Sequence, residues 1–348
     1  MFKYLIAIAP LGLLYGSAGR FLSPENLVGR SGSSFPPTAA TLSGIFAAAH
    51  NGQPPQDLHL AGAFWAKNND PQNFYVPTPF NCLVNMYPSD PQDRQGFQTG
   101  EIAQILGWKG DKWAAKRDVQ GKYDRNAWLA INDWQHLKSD LKNKPNVYAS
   151  PWQNLPHLHP RLDDHQRKVY TDPDGDRGSL FLENAIQMHP ETSLIYLSSH
   201  PLPDGWYRFG GEGHMVSVHS HELKKSTQDL LSKPVTNSFA IVTAAIWGSN
   251  RLSLRFPNQW QNAIIFTERP MPYRYRLGGD GNTKRLSRGR YAVPAGSVYI
   301  LNDNEQTRQS WQQWTPDLFP SEGKREGYQD YTYKRWGCGL ALPLTVDS

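Results

Sequence analysis

The sequence predicts an α+β fold in which strands outnumber helices, and three patterns indicate it. Residues 3–8 form a short apolar run that is typical of a buried strand. Residues 42–49 repeat apolar side chains three and four positions apart, which is the pattern of an amphipathic helix. Beyond residue 238 the apolar runs are short and predict strands, with few helix candidates among them.

The order of elements in the first ninety residues follows from boundary residues. Pro36 and Pro37 suit the first turn of the predicted helix, and Gly52 suits its end. Two apolar runs, at residues 58–66 and 73–87, are joined by a polar turn and predict strands. The chain therefore begins with the order β-α-β-β.

The chain of 348 residues is long enough for two domains, since one domain takes ~100–200 residues. We expect the first at residues 1–231, with an insertion at 88–151 and an arm at 155–192. A linker at 232–237 then leads to a strand-rich second domain at 238–348.

Two local structures are expected inside the first domain. Residues 126–144 predict a helix, with Ile131, Trp134 and Leu141 on one face. The sequence Asp-Pro-Asp-Gly at 172–175 lies between two extended runs and predicts the turn of an exposed hairpin arm. Such an arm is suited to reaching a partner.

The first twenty residues allow two interpretations. Lys3, the apolar run after it and the small residues 16–19 resemble a secretory signal peptide. However, Pro10 interrupts the run, and the helix that follows would lose its neighbouring strand if the segment were cleaved. We therefore expect this segment to be the central strand of the first domain.

Composition narrows the class of protein. Hydrophobic residues make up 39% of the chain, and no run of ~18 apolar residues suggests a membrane span. Cys82 and Cys338 have no zinc-site or redox spacing, which favours a reducing, cytoplasmic compartment. The glycines at 210–213 are not followed by the Gly-Lys-Ser/Thr of a P-loop, and we expect no cofactor.

Positive charge is concentrated in one window. Between Arg251 and Arg290, nine basic residues against Glu268 and Asp280 give a net charge of +7, so the remaining 308 residues carry −2. Five aromatic residues interleave with these cations, a composition that suits RNA because cations hold phosphates and rings stack on bases. A solvated basic face of an ordinary domain is the alternative. The five aromatic residues are Phe256, Phe266, Tyr273, Tyr275 and Tyr291.

Four segments carry a family resemblance, in the order residues 9–49, 157–190, 209–218 and 290–301. They include "FPPTAATLSGIFAAA", the arm sequence, "FGGEGHMVSV" and "RYAVPAGSVYIL". Together they resemble the third subunit of the type III-B (Cmr) CRISPR effector complex, a Cas-five-like member of the RAMP superfamily.

The resemblance implies two tandem ferredoxin-like (RRM-like) domains and a non-catalytic role in antiviral defence. Such a subunit holds the 5′ repeat-derived tag of the guide RNA. The resemblance also implies that this subunit contacts the large polymerase-like (Cas-ten type) subunit and the backbone RAMP subunit. The thumb-like arm is expected to meet target RNA near the 5′ end of the guide.

Candidate RNA-binding residues come from four places. Glycines let a backbone approach RNA closely, and the loop before a helix offers free N–H groups to phosphate. The arm and the basic window supply arginines. A tight turn and a solvated loop are the alternative explanations for the glycines and for the first loop. The candidates are Arg20, Arg30, Ser31, Ser33, Arg161, Gly210, Gly211, Gly213, Arg274, Arg276, Arg288 and Arg290.

Histidines leave an enzymatic alternative open. Clusters at 157–165 and 219–222 combine histidine with carboxylates, but neither has a recognised metal-site spacing. A metal-independent endoribonuclease that processes repeat RNA would instead use a histidine as general base, for which His50, His214 or His219 are candidates.

Overall fold

The structure, a computed structural model, describes most of the chain. The described residues are 1–14, 35–89, 96–117, 121–137, 144–160, 163, 168–170, 180–210, 213–249, 251–275, 287–302, 307–320 and 333–347. They form a mixed α/β fold of mostly antiparallel sheets with few helices.

The elements are numbered in chain order. The helices are α1 (Ala39–Ala49) and α2 (Lys225–Ser232). The strands are β1 (Tyr4–Pro10), β2 (Leu60–Lys67), β3 (Tyr75–Pro77), β4 (Cys82–Met86), β5 (Thr99–Ile105), β6 (Gly107–Trp108), β7 (Trp113–Ala114), β8 (Trp128–Ala130), β9 (Asn146–Tyr148), β10 (Trp152–Pro160), β11 (Leu180–Met188), β12 (Thr192–Ser198), β13 (Gly205–Phe209), β14 (His214–Glu222), β15 (Ser238–Ile241), β16 (Trp247–Gly248), β17 (Ser253–Leu254), β18 (Ile264–Phe266), β19 (Met271–Tyr273), β20 (Arg290–Ala292), β21 (Val298–Ile300) and β22 (Ala341–Pro343). Short 3-10 turns lie at Ile131–His136, Asn258–Trp260, Trp311–Gln313, Pro316–Leu318 and Tyr333–Trp336.

The largest sheet has the strand order β13-β14-β1-β12-β2-β3-β8-β9-β5-β4. β1 pairs antiparallel with β14 on one side and with β12 on the other. Its residues Leu5, Ile6 and Ile8 have no exposed surface, because both faces of the strand are covered. The predicted strand at the start of the chain is confirmed.

Helix α1 covers one face of this sheet and contacts β2 and β13. Leu42, Ile45 and Phe46 are its buried apolar side chains, as the spacing predicted. The helix ends at Ala49, and Gly52 follows with a φ of +95°. The predicted helix is therefore confirmed, with its stop at a residue that tolerates positive φ.

The helix predicted over residues 126–144 is wrong where the structure describes it. Residues 128–130 form β8, and Ile131–His136 is a 3-10 turn. All three residues of β8 are buried between β3 and β9, so tertiary pairing overrides the helical spacing. The segment 88–151 adds strands to the main sheet through β5, β8 and β9.

The second half is strand-rich, as predicted. A four-stranded sheet has the order β18-β21-β15-β22, and two-stranded pairs join β16 to β17 and β19 to β20. Among the described residues beyond 233, the helical elements are short 3-10 turns. A ferredoxin-like domain would place α-helices on its sheet, so the tandem ferredoxin-like arrangement stays a prediction.

The two sheets are joined by the turn at residues 333–340. Arg335 is buried and donates from Nε to the Leu58 carbonyl at 2.7 Å and from Nη2 to the Pro55 carbonyl at 2.8 Å. Gly337 follows with a φ of +68° and lies directly on β2, where a Cβ atom would come within 2.4 Å of the Ala61 Cβ. Only glycine fits this contact.

A second close contact joins the halves at the turn between β20 and β21. Gly296 has a φ of +94°, and a Cβ atom there would come within 2.9 Å of the Phe80 ring and of the Thr78 carbonyl. The Phe80 N–H donates to the Gly296 carbonyl at 2.7 Å. The string "AVPAGSVY" therefore has a structural role, because it packs the second sheet against the first.

Lys334, in the same turn as Arg335, is also buried. Its ammonium group donates to the carbonyls of Gln312 and Trp314 and lies 5.5 Å from the centre of the Trp311 ring. Burial lowers the pKa of Lys334 to about 8, because the low-dielectric interior disfavours its charged form.

Replacing Gly337 with Ala is expected to destabilise the protein by about 2–5 kcal/mol, because positive φ and a backbone clash both penalise the added Cβ. Gly210→Ala is the matched control. Its φ is +78°, but a Cβ there meets nothing within 4 Å, so we expect a cost of about 1–2 kcal/mol. Denaturant unfolding measures both, and equal losses would contradict close packing at Gly337.

Candidate nucleic-acid interface

The glycines 210 and 213 lie at the tip of the β13–β14 hairpin. Both have positive φ, of +78° and +67°, and the Gly213 N–H donates to the Gly210 carbonyl at 3.3 Å. The space where Gly210 would carry a Cβ is open, so its backbone is accessible to a ligand. Gly211, the third predicted glycine, lies outside the described residues.

The chain leaving β1 runs along this hairpin and then meets the arm. The Leu11 N–H donates to the Met215 carbonyl of β14 at 3.2 Å. Leu14 then exchanges two backbone hydrogen bonds with Ile186 of β11, at 2.9 and 2.7 Å. The predicted residues that follow, Arg20, Arg30, Ser31 and Ser33, lie outside the described residues.

The predicted hairpin arm is present as β10 and β11, which pair from Trp152 opposite Met188 to Pro160 opposite Leu180. Its base is anchored in the core by the buried residues Ala185 and Ile186. Arg161 and the Asp-Pro-Asp-Gly turn lie outside the described residues. Three segments that the sequence placed far apart thus meet beside one end of β1: the chain after β1, the β13–β14 hairpin and the base of the arm.

The basic window forms a second surface around Tyr291 on β20. The Tyr291 ring is 60% exposed, whereas Tyr273 and Tyr275 are buried. The Tyr291 N–H donates to the Ser253 hydroxyl at 3.1 Å, which brings β17 alongside β20. We call this the Tyr291 surface, and its exposed residues are Arg251, Leu252, Leu254, Arg255, Arg288 and Tyr291.

Arg290 differs from the expectation for a surface cation, and that expectation is wrong. Its side chain is only 5% exposed. The guanidinium donates to the Ser249 carbonyl at 2.6 Å and to the Tyr333 hydroxyl at 3.1 Å, and it lies over the Tyr333 ring. Strand alternation explains the difference, because Arg290 and Tyr291 point to opposite faces of β20.

The other three predicted arginines of the window differ in their surroundings. Arg274 is half-buried and donates from Nε to the Ser287 carbonyl at 2.8 Å. Arg288 is exposed, as expected. Arg276 lies outside the described residues. Glu268 is the one carboxylate among the described residues of 251–302, and it pairs with Arg125.

The histidines have individual partners. His50 bonds the Phe46 carbonyl at the end of α1. His219 Nδ1 lies 3.1 Å from Asp204 Oδ2, and its Nε2 lies 3.2 Å from the Ser217 hydroxyl. The pKa of Asp204 is lowered by the Ser220 N–H and by His219. In the part of the chain that the structure describes, no group of three His, Cys, Asp or Glu could hold a metal ion.

One exposed residue of this region has no counterpart among the sequence candidates. Trp206 on β13 is 73% exposed, the largest fraction among the exposed large hydrophobic residues of the described chain. The signal was present in "GWYRF", where alternation places Trp206 and Arg208 on one face and Tyr207 and Phe209 on the other. A search for charge clusters passes over a single aromatic side chain.

No protein-family model matches the chain, and no curated protein matches it. Among solved structures, it is similar to a chain of the type III-B Cmr-beta complex bound to cognate target RNA and AMPPnP, at 12% identity over 85% of this chain and 86% of that one, with a TM-score of 0.47. It is also similar to a chain of the Csm3–Csm4 subcomplex of the type III-A CRISPR-Cas interference complex, at 11% identity over 88% of this chain and 97% of that one, with a TM-score of 0.38.

In the described residues, no helix is long and apolar enough to cross a membrane.

Replacing Arg290 with Ala is expected to cost more than about 2 kcal/mol of stability, because it leaves the Ser249 carbonyl and the Tyr333 hydroxyl without their charged donor. Arg255→Ala is the matched control, because this side chain is exposed, and we expect it to change stability by less than about 0.5 kcal/mol. Thermal and denaturant unfolding compare the two variants. An unchanged midpoint for Arg290→Ala would contradict its structural role.

Proposed function

We propose that this protein is a non-catalytic RNA-binding subunit of a type III-B CRISPR ribonucleoprotein effector. In this role it holds the 5′ repeat-derived tag of the guide RNA. It bridges the large polymerase-like subunit and the backbone RAMP subunit, while its arm contacts target RNA near the 5′ end of the guide. The ordered resemblance of four sequence segments supports the assignment to this family.

The observation that carries the proposal is the convergence beside β1. The chain after β1, the glycine hairpin and the arm contribute three of the four resembling segments, and backbone hydrogen bonds join them at Leu11 and Leu14. The exposed Gly210 backbone and the exposed Leu11, in the segment that leads toward Arg20 and Arg30, therefore lie on one part of the surface. A bound RNA strand would contact both at once.

The Tyr291 surface supports the same function with different chemistry. It carries exposed arginines, which suit phosphates, and one exposed tyrosine ring, which suits a base, on segments that the hydrogen-bonded strands β17 and β20 bring together. The fourth resembling segment contributes Tyr291 to this surface. The same segment holds the two halves together through Gly296.

RNA that copurifies with the protein from its native host is expected to share a common 5′ end, which sequencing will test.

Binding of that RNA should weaken steeply as the salt concentration rises. Removing Arg251, Arg255 and Arg288 together should make the slope of log affinity against log salt shallower by about two, at about 0.7 per phosphate contact.

A matched variant controls for net charge. Lys109, Lys112 and Lys233 are exposed on other parts of the chain, and their replacement with Ala removes the same charge. The proposal fails if the copurifying RNA has no common 5′ end, or if the chain brings down no RNA. An equal loss of slope in both triple variants would show that the Tyr291 surface is not the site.

A RAMP-type endoribonuclease that cleaves repeat RNA without a metal is the second candidate, and the His219 contacts favour it. Asp204 holds the His219 ring by one nitrogen, which leaves the other beside the Ser217 hydroxyl and oriented as a general base. In this mechanism His219 would take the proton of a ribose 2′-hydroxyl.

Incubation of the purified protein with labelled repeat RNA separates the two candidates. Specific cleavage that His219→Ala abolishes and His221→Ala leaves intact would establish the nuclease, since both histidines are exposed on β14. We expect tight binding without cleavage, in the wild type and in both variants.

A further inference from the structure

Trp206 lies on an exposed face at the edge of the largest sheet. β13 is the outermost strand, and Trp206 is directly opposite Ser217 of β14, which in turn is opposite Ala9 of β1. Both neighbours are small, so the indole is not covered from that side. This explains how a tryptophan in a regular strand stays 73% exposed.

The other side chains of the shelf are polar or flexible. Arg208 follows Trp206 by two residues on the same face and is opposite Met215, and both are exposed. The opposite face of the same hairpin carries Phe209, Val216 and Val218, which are buried. We define the Trp206 shelf as Trp206, Arg208, Met215, Ser217 and His219.

The charge on the shelf favours an anionic ligand. Arg208 is exposed, and the neighbouring Asp204 carboxylate is already engaged by His219 at 3.1 Å and by the Ser220 N–H at 2.9 Å. The Arg208 Cδ atom lies 3.6 Å from the position that a Cβ atom on Gly213 would occupy. The shelf is therefore continuous with the glycine tip of the hairpin. A strand of RNA along the hairpin would find an open backbone, then a cation, then an aromatic ring.

From this geometry we propose that the Trp206 shelf is a stacking site for one unpaired RNA base. The base lies on the Trp206 indole and the adjoining phosphate meets Arg208. The inference rests on the proposed function, since it assigns a specific contact to RNA bound at this end of β1. Base stacking on an aromatic side chain tolerates any sequence and contributes substantially to single-strand binding.

RNA fits this site better than a protein partner. The buried core of a protein interface is more apolar and depleted of charge, whereas Trp206 and Met215 share the shelf with serine, arginine and histidine. An isolated ring beside one guanidinium is instead the arrangement that holds a nucleotide.

The experiment measures affinity for a fluorescein-labelled single-stranded polyuridine RNA and for a polyuridine–polyadenosine duplex of the same length. Trp206→Ala and Trp206→Leu should each weaken single-strand binding by about 5- to 100-fold, because both remove the ring. Trp206→Phe should restore most of the affinity. The duplex should be bound equally by all variants, since its bases are not free to stack.

Controls keep the result interpretable. Tyr87→Ala removes another exposed ring, beside the far end of the same sheet at β4, and should leave affinity unchanged. Arg208→Gln should weaken binding and make the salt slope shallower by about 0.7. Trp206 is exposed, so its variants should keep the wild-type melting temperature.

The outcomes separate this inference from the proposed function. If the wild type binds neither the polyuridine nor RNA from its host, the proposed function fails and the shelf fails with it. If the wild type binds and Trp206→Leu binds equally well, only the stacking site is overturned. Loss of a copurifying protein with unchanged RNA affinity in Trp206→Ala would also overturn it, in favour of a protein interface.

Discussion

The contact on which the rest of the structure depends is the turn at 333–340 pressed against β2. Arg335 crosses the boundary to the Leu58 and Pro55 carbonyls, and Gly337 lies so close to Ala61 that no side chain fits between the two backbones. This turn fixes the second sheet against β2 of the first. β13, which carries the exposed Trp206, is the outermost strand of the same sheet and lies four strands away from β2.

Cations in this protein have two different roles that their residue type does not distinguish. Arg290, Lys334 and Arg335 are buried, and they bind carbonyls, a tyrosine hydroxyl and aromatic rings. Burying a charge is costly unless its donors are satisfied, so these side chains stabilise one arrangement of the chain and oppose others. Arg251, Arg255, Arg269 and Arg288 are the exposed arginines among the described residues of the basic window. Net charge alone therefore overstates the positive surface.

The candidate interface combines two kinds of chemistry at separate places. The Tyr291 surface is rich in arginine, which suits phosphates, and the glycine hairpin offers open backbone and a single stacking ring. Both belong to short turns or strands that a large buried core holds in place. Rigid strands under exposed polar groups reduce the conformational entropy lost when RNA binds.

The sequence by itself determined the local elements whose signals are local. Apolar spacing identified β1 and α1, the Asp-Pro-Asp-Gly sequence between two extended runs indicated the hairpin arm, and the cluster of glycines indicated the bend at 209–213. Tertiary structure decided the rest, because pairing and burial depend on residues far away in the chain. It made residues 128–130 a strand although their spacing suited a helix. It turned Arg290 inward while Tyr291 stayed outside, and it left Trp206 uncovered because Ser217 and Ala9 are its neighbours. Which side of a strand faces a core is set by the partner that covers it, and that partner here lies far away in the chain, as Ser249 and Tyr333 do for Arg290.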